Sequence, residues 1–109
     1  MSIQETKTIC AANAVAPRVS LPGMEAKITA RFDFTADQAV GDAQPIPDVL
    51  KLLSVCIVVM ENGFVLVGKS APASAANFNA DLGKKLAYED CVRQLWPLEG
   101  YALRDRLAA

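Results

Sequence analysis

The residues of this chain that come nearest to a chemical motif are Gly63, Gly68, Lys69 and Ser70, whose spacing fits the phosphate-binding pattern G-x-x-x-x-G-K-[ST]. In a working loop of this kind, backbone amides and the lysine hold nucleotide phosphates, and a helix begins at the Lys-Ser end. Here the four residues between the glycines are Phe, Val, Leu and Val, which are typical of a β-strand. Pro72 follows where the helix would need a backbone amide. We therefore predict that the match is accidental and that this segment binds no nucleotide.

The rest of the chain offers few groups for catalysis. It contains no histidine, which removes the commonest general base, metal ligand and pH switch. The three cysteines, Cys10, Cys56 and Cys91, form no C-x-x-C pair, so no zinc site is predicted. Cys56 and Cys91 are expected as small core residues. The sequence therefore predicts a protein that is not an enzyme and that needs no metal or cofactor.

Composition predicts a single soluble, intracellular domain. Of the 109 residues, 52% are hydrophobic and 21% are charged, which is enough apolar material for one core. Eleven basic and 12 acidic residues leave a formal charge of −1, which argues against nucleic-acid binding. The first residues lack the layout of a signal peptide, and the longest aliphatic run, around Val55–Met60, is too short to span a membrane.

The clearest structural signal is a β-hairpin. Residues 53–60 and 64–70 are rich in aliphatic side chains, and Asn62-Gly63 between them is typical of a two-residue type I′ turn. The register then follows: Glu61 opposes Phe64, Met60 opposes Val65, Val59 opposes Leu66, and Val58 opposes Val67.

In this register both faces of the hairpin are apolar. One face carries Cys56, Val58, Met60, Val65 and Val67, and the other carries Val55, Ile57, Val59, Phe64 and Leu66. A half-solvated sheet alternates apolar and polar residues, so the hairpin is expected to be covered on both sides.

The flanking segments predict helices. Ser20 is a candidate N-cap for a short helix, with Met24, Ile28 and Phe32 one helical turn apart. Residues 33–48 have a loop composition. A long amphipathic helix is predicted from about Phe78 to Trp96, with Ser74 or Asn77 as its N-cap. Its apolar stripe consists of Phe78, Leu82, Leu86, Cys91 or Val92, and Leu95. The residues expected to face water are Asn79, Lys84, Asp90, Arg93 and Gln94. Pro97 is expected to break this helix and to begin a short tail helix.

Together these elements predict an α+β fold. Its parts are an antiparallel β-hairpin packed against a long C-terminal amphipathic helix, a Pro-broken tail helix and a short N-terminal helix. Residues 1–19 show no sustained period and are predicted to form a flexible or docking arm, while residues 20–109 form a single domain.

Four segments carry a family likeness: CIVVMENGF at 56–64, GKSA at 68–71, NFNADLGKK at 77–85 and WPLEGY at 96–101. They resemble a small family of tailed-phage and prophage proteins known by gene numbers, the gene-forty-nine/gene-sixty-six family. The likeness is clearest over residues 53–107. Members of that family often carry a cysteine where this chain has Ala71, so no shared redox or metal role is implied there. The resemblance implies a phage origin and residence in the host cytoplasm, without a particular chemistry.

Eight polar or aromatic residues are candidates for binding: Lys69, Ser70, Asn77, Lys84, Lys85, Arg93, Trp96 and Tyr101. The cations, with the amides at the start of the long helix, could hold an anion. The alternative is an ordinary charged surface, because acidic residues lie among them. Trp96 and Tyr101 could form a ligand platform, or they could pack the tail helix against the hairpin.

Two binding functions follow from these observations. The first is that of a small non-enzymatic phage accessory protein that binds a host or phage protein, in host takeover or counter-defence. The alternative is a module that sequesters a small anionic molecule such as a signalling nucleotide. The apolar hairpin faces and open strand edges also predict a homo-oligomer, most simply a dimer. The alternative there is a monomer whose N-terminal arm covers the exposed face.

Overall fold

In the computed structural model, which describes residues 17–42 and 45–109, a three-stranded antiparallel sheet is covered on one face by a long helix. The predicted α+β class is therefore confirmed. The elements in chain order are α1 (Leu21–Glu25), β1 (Ile28–Thr35), α2 (Ala36–Val40), β2 (Ser54–Met60), β3 (Val65–Ser70) and α3 (Ala80–Ala108), with 3₁₀ turns at Asp48–Leu52 and Ala75–Asn77. Most of the predicted N-terminal arm, residues 1–16, lies outside the described residues.

The N-terminal helix is much shorter than its periodicity suggested. Ser20 does cap α1, since its Oγ accepts a hydrogen bond from the Gly23 amide at 3.1 Å. The helix ends at Glu25, however, and the segment containing Ile28 and Phe32 is strand β1, which pairs with β2. The prediction of a helix through Phe32 was wrong because the same segment also alternates with a period of two, and the free edge of β2 selects the strand.

The segment predicted as loop, residues 33–48, also contains regular structure. β1 continues to Thr35, and α2 follows at once. Gln38 closes the start of α2, because its side chain accepts a hydrogen bond from the Thr35 amide at 3.1 Å.

The hairpin is confirmed, but its turn and register differ from the prediction. The Met60 amide donates to the Phe64 carbonyl at 2.8 Å, and the Gly63 amide donates to the Met60 carbonyl at 2.9 Å. Gly63 has φ +87°, and no non-glycine residue among those described has a positive φ, so Asn62 does not adopt the type I′ conformation. The loop is therefore three residues long, Glu61 to Gly63.

This longer loop moves β3 by one residue. Val59 now opposes Val65, and Val58 opposes Leu66. A one-residue shift turns every side chain of a strand to the other face. The predicted face assignment of β3 was therefore wrong: Leu66 and Gly68, rather than Val65 and Val67, share the face of Val58.

The core lies between this face of the sheet and α3. The long helix lies over β2 and β3. Buried hydrophobic residues come from all these elements and from α1: Leu21, Met24, Cys56, Val58, Met60, Leu66, Ala87, Cys91, Val92 and Leu95.

Helix α3 runs for 29 residues without a break. Its N-cap is Asn79, whose side chain accepts from the Leu82 amide at 3.0 Å, and not Ser74 or Asn77 as predicted. The break expected at Pro97 does not occur. Leu95 is buried in the core and Glu99 is bound to Lys27 at 2.7 Å, so tertiary contacts hold the helix on both sides of the exposed proline. No helix in the described part of the chain is long and apolar enough to cross a membrane.

Candidate functional site

The sheet face opposite α3 is apolar and exposed. We call it the open face, and its residues are Ala30, Phe32 and Phe34 of β1, Val55, Ile57 and Val59 of β2, and Val65, Val67 and Lys69 of β3. Phe32 is 58% exposed, Val65 51% and Val67 55%. The expectation that both faces of the hairpin are covered is thus not met among the described residues, because the long helix covers one face only.

The open face is large enough to matter for binding. Three strands spaced by about 4.8 Å and paired over about six residues cover roughly 14 Å by 20 Å. Lys69 contributes the only charge on this face within the described residues. A contiguous apolar patch of a few hundred Å² is typical of a protein interaction site.

The outer edge of β3 is partly satisfied by side chains of α3. Asp90 Oδ2 accepts a hydrogen bond from the Lys69 amide at 3.0 Å. Gln94 Nε2 donates to the Val67 carbonyl at 2.9 Å. Asp90 and Gln94 were predicted to face water; Gln94 is exposed and Asp90 is partly exposed. Both side chains also bind the strand edge, which hinders the addition of another strand there.

A polar cluster lies beside α3 on the covered side of β1. The Arg31 and Asp33 side chains form an ion pair at 3.0 Å, and the Arg31 guanidinium lies 4.2 Å from the centre of the Tyr88 ring. Tyr88 Oη donates to Glu25 Oε2 at 2.6 Å. Burial and this hydrogen bond raise the pKa of Tyr88, so its hydroxyl remains a donor. Arg31 and Tyr88 were not singled out from the sequence, although the alternation of β1 could have placed Arg31 on this face.

Two of the eight predicted binding residues come together. Ser70 and Asn77 line a cavity of about 220 Å³ at the start of α3. Ser54 also lines this cavity, and it is the one polar or charged residue among the described ones that is buried. The remaining lining residues are mostly apolar, with Leu82 and Leu86 half exposed there.

The other six candidates are dispersed. Lys69 lies on the open face, whereas Lys84 and Lys85 are exposed near the start of α3. Arg93 is paired with Asp90 at 3.5 Å. Trp96 packs against the core, and Tyr101 is 73% exposed. Since a helix rises about 1.5 Å per residue, Lys84 and Tyr101 are about 25 Å apart and cannot contact one small ligand.

A second cavity, of about 290 Å³, lies between the hairpin turn and the C-terminal half of α3. Met60, Leu95 and Leu98 contribute apolar surface to it. Lys27 and Glu99, which form an ion pair, also line this cavity. Sequence reasoning did not identify it, because its walls come from distant parts of the chain.

The two described cysteines are buried core thiols. Burial raises the pKa of Cys56 to about 12, and burial also raises the pKa of Cys91. Cys91 Sγ donates to the Cys56 carbonyl at 3.5 Å. A protonated, buried thiol is a poor nucleophile. Within residues 17–42 and 45–109, no cluster of cysteine and acidic side chains could hold a metal ion.

The phosphate-loop pattern lies entirely in the hairpin. Gly63 is the last residue of the turn, and Gly68, Lys69 and Ser70 belong to β3. The predicted strand conformation of this segment is therefore confirmed, and an extended strand does not wrap its amides around a phosphate.

The fold and its surfaces define a small α+β protein, and its most prominent surface is an apolar sheet face that no other described element covers. The chain belongs to the phage protein family described as N4 Gp49/phage Sf6 gene 66, whose model matches residues 19–107. No curated protein and no solved structure matches the chain. The family resemblance noted from the sequence is therefore confirmed.

Proposed function

We propose that this phage-family protein acts by binding another protein, of the host or of the phage, through its open face. The half-exposed side chains of Phe32, Val65 and Val67 carry the proposal. At about 25 cal/mol per Å², covering roughly 300 Å² of apolar surface contributes on the order of 7 kcal/mol before the cost of association. In this proposal the protein is an accessory protein that acts in the host cytoplasm, and its role is in host takeover or counter-defence.

Several features support binding rather than catalysis. The chain has no histidine, and burial keeps the Cys56 and Cys91 thiols protonated. Lacking both a histidine and an ionised thiol, the described part of the chain is better suited to binding than to acyl or phosphoryl transfer.

Site-specific photocross-linking tests the proposal. A benzophenone amino acid at Val67 samples the open face, and the same group at Lys84 samples an exposed site on α3. In infected host cells, we expect the Val67 probe to give a discrete adduct with one protein of different sequence, and the Lys84 probe to give none. Purified partner should then bind Val67→Asp at least tenfold more weakly than the unmodified chain. Equal labelling at both positions, or labelling only of the chain itself, would contradict the proposal.

Capture of a small anionic molecule is the second candidate. Its support is the cavity lined by Ser70 and Asn77 at the N-terminus of α3, where helix amides favour negative charge. The support is weaker because the lining is mainly apolar and Asn79 already binds the Leu82 amide. Calorimetric titration with linear and cyclic nucleotides tests it. Binding that is lost in Ser70→Leu would favour this function over the first.

A further inference from the structure

We infer that two copies of this chain form a dimer by pairing their β1 strands edge to edge. The two β1 strands run antiparallel, a two-fold axis passes between the two Phe32 residues, and the two sheets form one continuous six-stranded sheet. This inference deepens the proposed function, because it states the form in which the open face is presented. It rests on a different surface, the outer edge of β1.

The outer edge of β1 is free of any described strand, since the sheet order is β1-β2-β3. The Ala36 amide donates to the Leu53 carbonyl at 2.9 Å. This bond shows which residues of β1 direct their backbone groups toward β2 and which direct them to the outer edge. In this arrangement the backbone groups of the even-numbered residues of β1 form the hydrogen bonds with β2. The backbone groups of Arg31 and Asp33 therefore point outward, away from the sheet.

The sequence of β1 is nearly symmetric about Phe32. Residues 29–35 read T-A-R-F-D-F-T. In a two-fold antiparallel pair centred on Phe32, each residue meets one that is equally far on the other side of the centre. The cross-strand pairs are then Phe32 with Phe32, Arg31 with Asp33, and Ala30 with Phe34, each with its counterpart on the second copy. Thr29 lies at an irregularity in the register between Ile28 and Ala30 and marks the end of this pairing.

Each of these pairs is chemically compatible. Arg31 meets Asp33 of the second copy twice, and these two pairs exchange four backbone hydrogen bonds. Stacking on Tyr88 and the ion pair within the chain already hold the Arg31 guanidinium on the covered side. The pairing thus forms a cluster of two arginines and two aspartates with no net charge, while both Phe32 rings remain on the open face.

The charges also select this register. Sliding the strands by two residues in one direction places Arg31 opposite Arg31, and sliding them in the other direction places Asp33 opposite Asp33. Like charges directly opposite each other are destabilising. A one-residue slide would lose the alignment of the outward hydrogen-bonding groups.

The other edge of the sheet explains why assembly stops at two copies. The side chains of Asp90 and Gln94 form hydrogen bonds with two backbone groups on the outer edge of β3, the Lys69 amide and the Val67 carbonyl. With β3 hindered, pairing through β1 alone closes on itself and gives a dimer instead of a fibre.

Pairing also enlarges the open face. Six strands cover roughly 29 Å by 20 Å, on the order of 600 Å². This approaches the area of about 800 Å² that each partner contributes to a stable protein complex. The dimer therefore presents a binding surface that one chain does not.

Charge-reversal variants of the full chain give the decisive test. Arg31→Asp places only aspartates in the cluster, and Asp33→Arg places only arginines there. We expect light scattering to show twice the 11.6 kDa chain mass for the unmodified protein at micromolar concentration. Each single variant should dimerise about tenfold or more weakly. An equal mixture of the two variants should regain the dimer, because every cross-strand pair is then Arg with Asp.

Recovery of the dimer in the mixture cannot come from contacts within one chain, because each variant still lacks its own Arg31–Asp33 ion pair. It must come from contacts between the two chains. A mass of one chain for the unmodified protein, or a mixture that stays as monomeric as its components, would overturn the inference. So would a dimer that neither variant weakens.

A covalent test covers the case in which a variant does not fold. Paired residues at a non-hydrogen-bonded position have Cα atoms about 4.5 Å apart, within disulfide range. With Cys10 replaced by serine in every variant, Phe32→Cys should form a cross-linked dimer under copper–phenanthroline oxidation, while Val67→Cys, about equally exposed on the same face, should not. Cross-linking of Val67→Cys but not of Phe32→Cys would place the contact elsewhere and overturn the pairing. Partner labelling from Val67 does not depend on this result, so the proposed function can fail or succeed separately.

Discussion

Gly68 on β3 lies directly beneath Ala87 on α3, so closely that a Cβ atom at Gly68 would lie 2.1 Å from the Ala87 carbonyl oxygen. The same atom would lie 2.8 Å from Cys91 Sγ. The glycine therefore sets the distance between the sheet and its covering helix. A residue that belongs to a phosphate-binding pattern in the sequence serves helix packing in the fold.

Replacing Gly68 with alanine should lower the free energy of unfolding by about 3 kcal/mol, because the new methyl group meets backbone that cannot move alone. Urea unfolding measures this change. Gly100→Ala is the matched control: it is also a glycine-to-alanine change, but a Cβ there meets nothing within 4 Å. Within α3 it should stabilise the protein by about 0.5–1 kcal/mol. Similar effects of the two changes would contradict the packing described for Gly68.

Gly63 is the only residue of the hairpin loop with a positive φ. Gly63→Val should cost about 1–3 kcal/mol, since a β-branched residue resists the left-handed conformation. A Cβ at Gly63 meets no atom within 4 Å, so the cost is conformational. Gly63→Asn should cost less, because asparagine tolerates this region. Melting temperatures of these variants, with Lys84→Ala on the exposed surface as the neutral control, decide whether the turn is as described.

Pro97 lies inside α3 and provides no amide for the helix hydrogen bond to Arg93. Pro97→Ala restores that bond at an exposed position and should raise the free energy of unfolding by about 1–3 kcal/mol. Chemical denaturation followed by circular dichroism measures the gain. A loss of stability would show that the proline shapes α3 in a way that the core requires.

Buried thiols should make stability fall at alkaline pH. Burial raises the pKa of the Cys56 thiol to about 12 in the folded chain, from about 9.0 in the unfolded chain. Above pH 9 the unfolded chain loses this proton while the folded chain keeps it, so ionisation favours unfolding. The free energy of unfolding should therefore be undiminished by this thiol below pH 9 and decline from there towards pH 12. Denaturation of the unmodified chain and of Cys56→Ala across this range isolates the effect, because Cys56→Ala, although less stable throughout, should show a shallower decline.

Lys69 is an exposed residue of β3. We therefore predict that it is not a phosphate ligand. We expect no magnesium-dependent release of phosphate from ATP or GTP, and an unchanged melting temperature for Lys69→Ala. Measurable hydrolysis that disappears in this variant would overturn the assignment of β3 as an ordinary strand.

Local signals in the sequence were enough to predict the α+β class, the hairpin, the cap at Ser20 and the long C-terminal helix. Each of these depends on neighbouring residues: an aliphatic run around Asn62-Gly63, a hydroxyl before a helix, or an apolar stripe with a period of 3.6. The same signals showed that strand residues fill the phosphate-loop pattern.

Tertiary contacts decided the rest. The segment from Ile28 to Thr35 is compatible with helical and strand periods alike, and pairing with the free edge of β2 made it β1. Asn62-Gly63 suits both two-residue and three-residue loops, and the burial of Leu66 and Gly68 under α3 corresponds to the longer one. The hydrogen bonds of Asp90 and Gln94 to β3 could not be predicted, because nothing local in the sequence shows that an open strand edge lies beside them. Each of these outcomes depends on which distant segment becomes a neighbour. That choice is set by the burial of apolar surface and the satisfaction of backbone groups over the whole fold, which local periodicity does not encode.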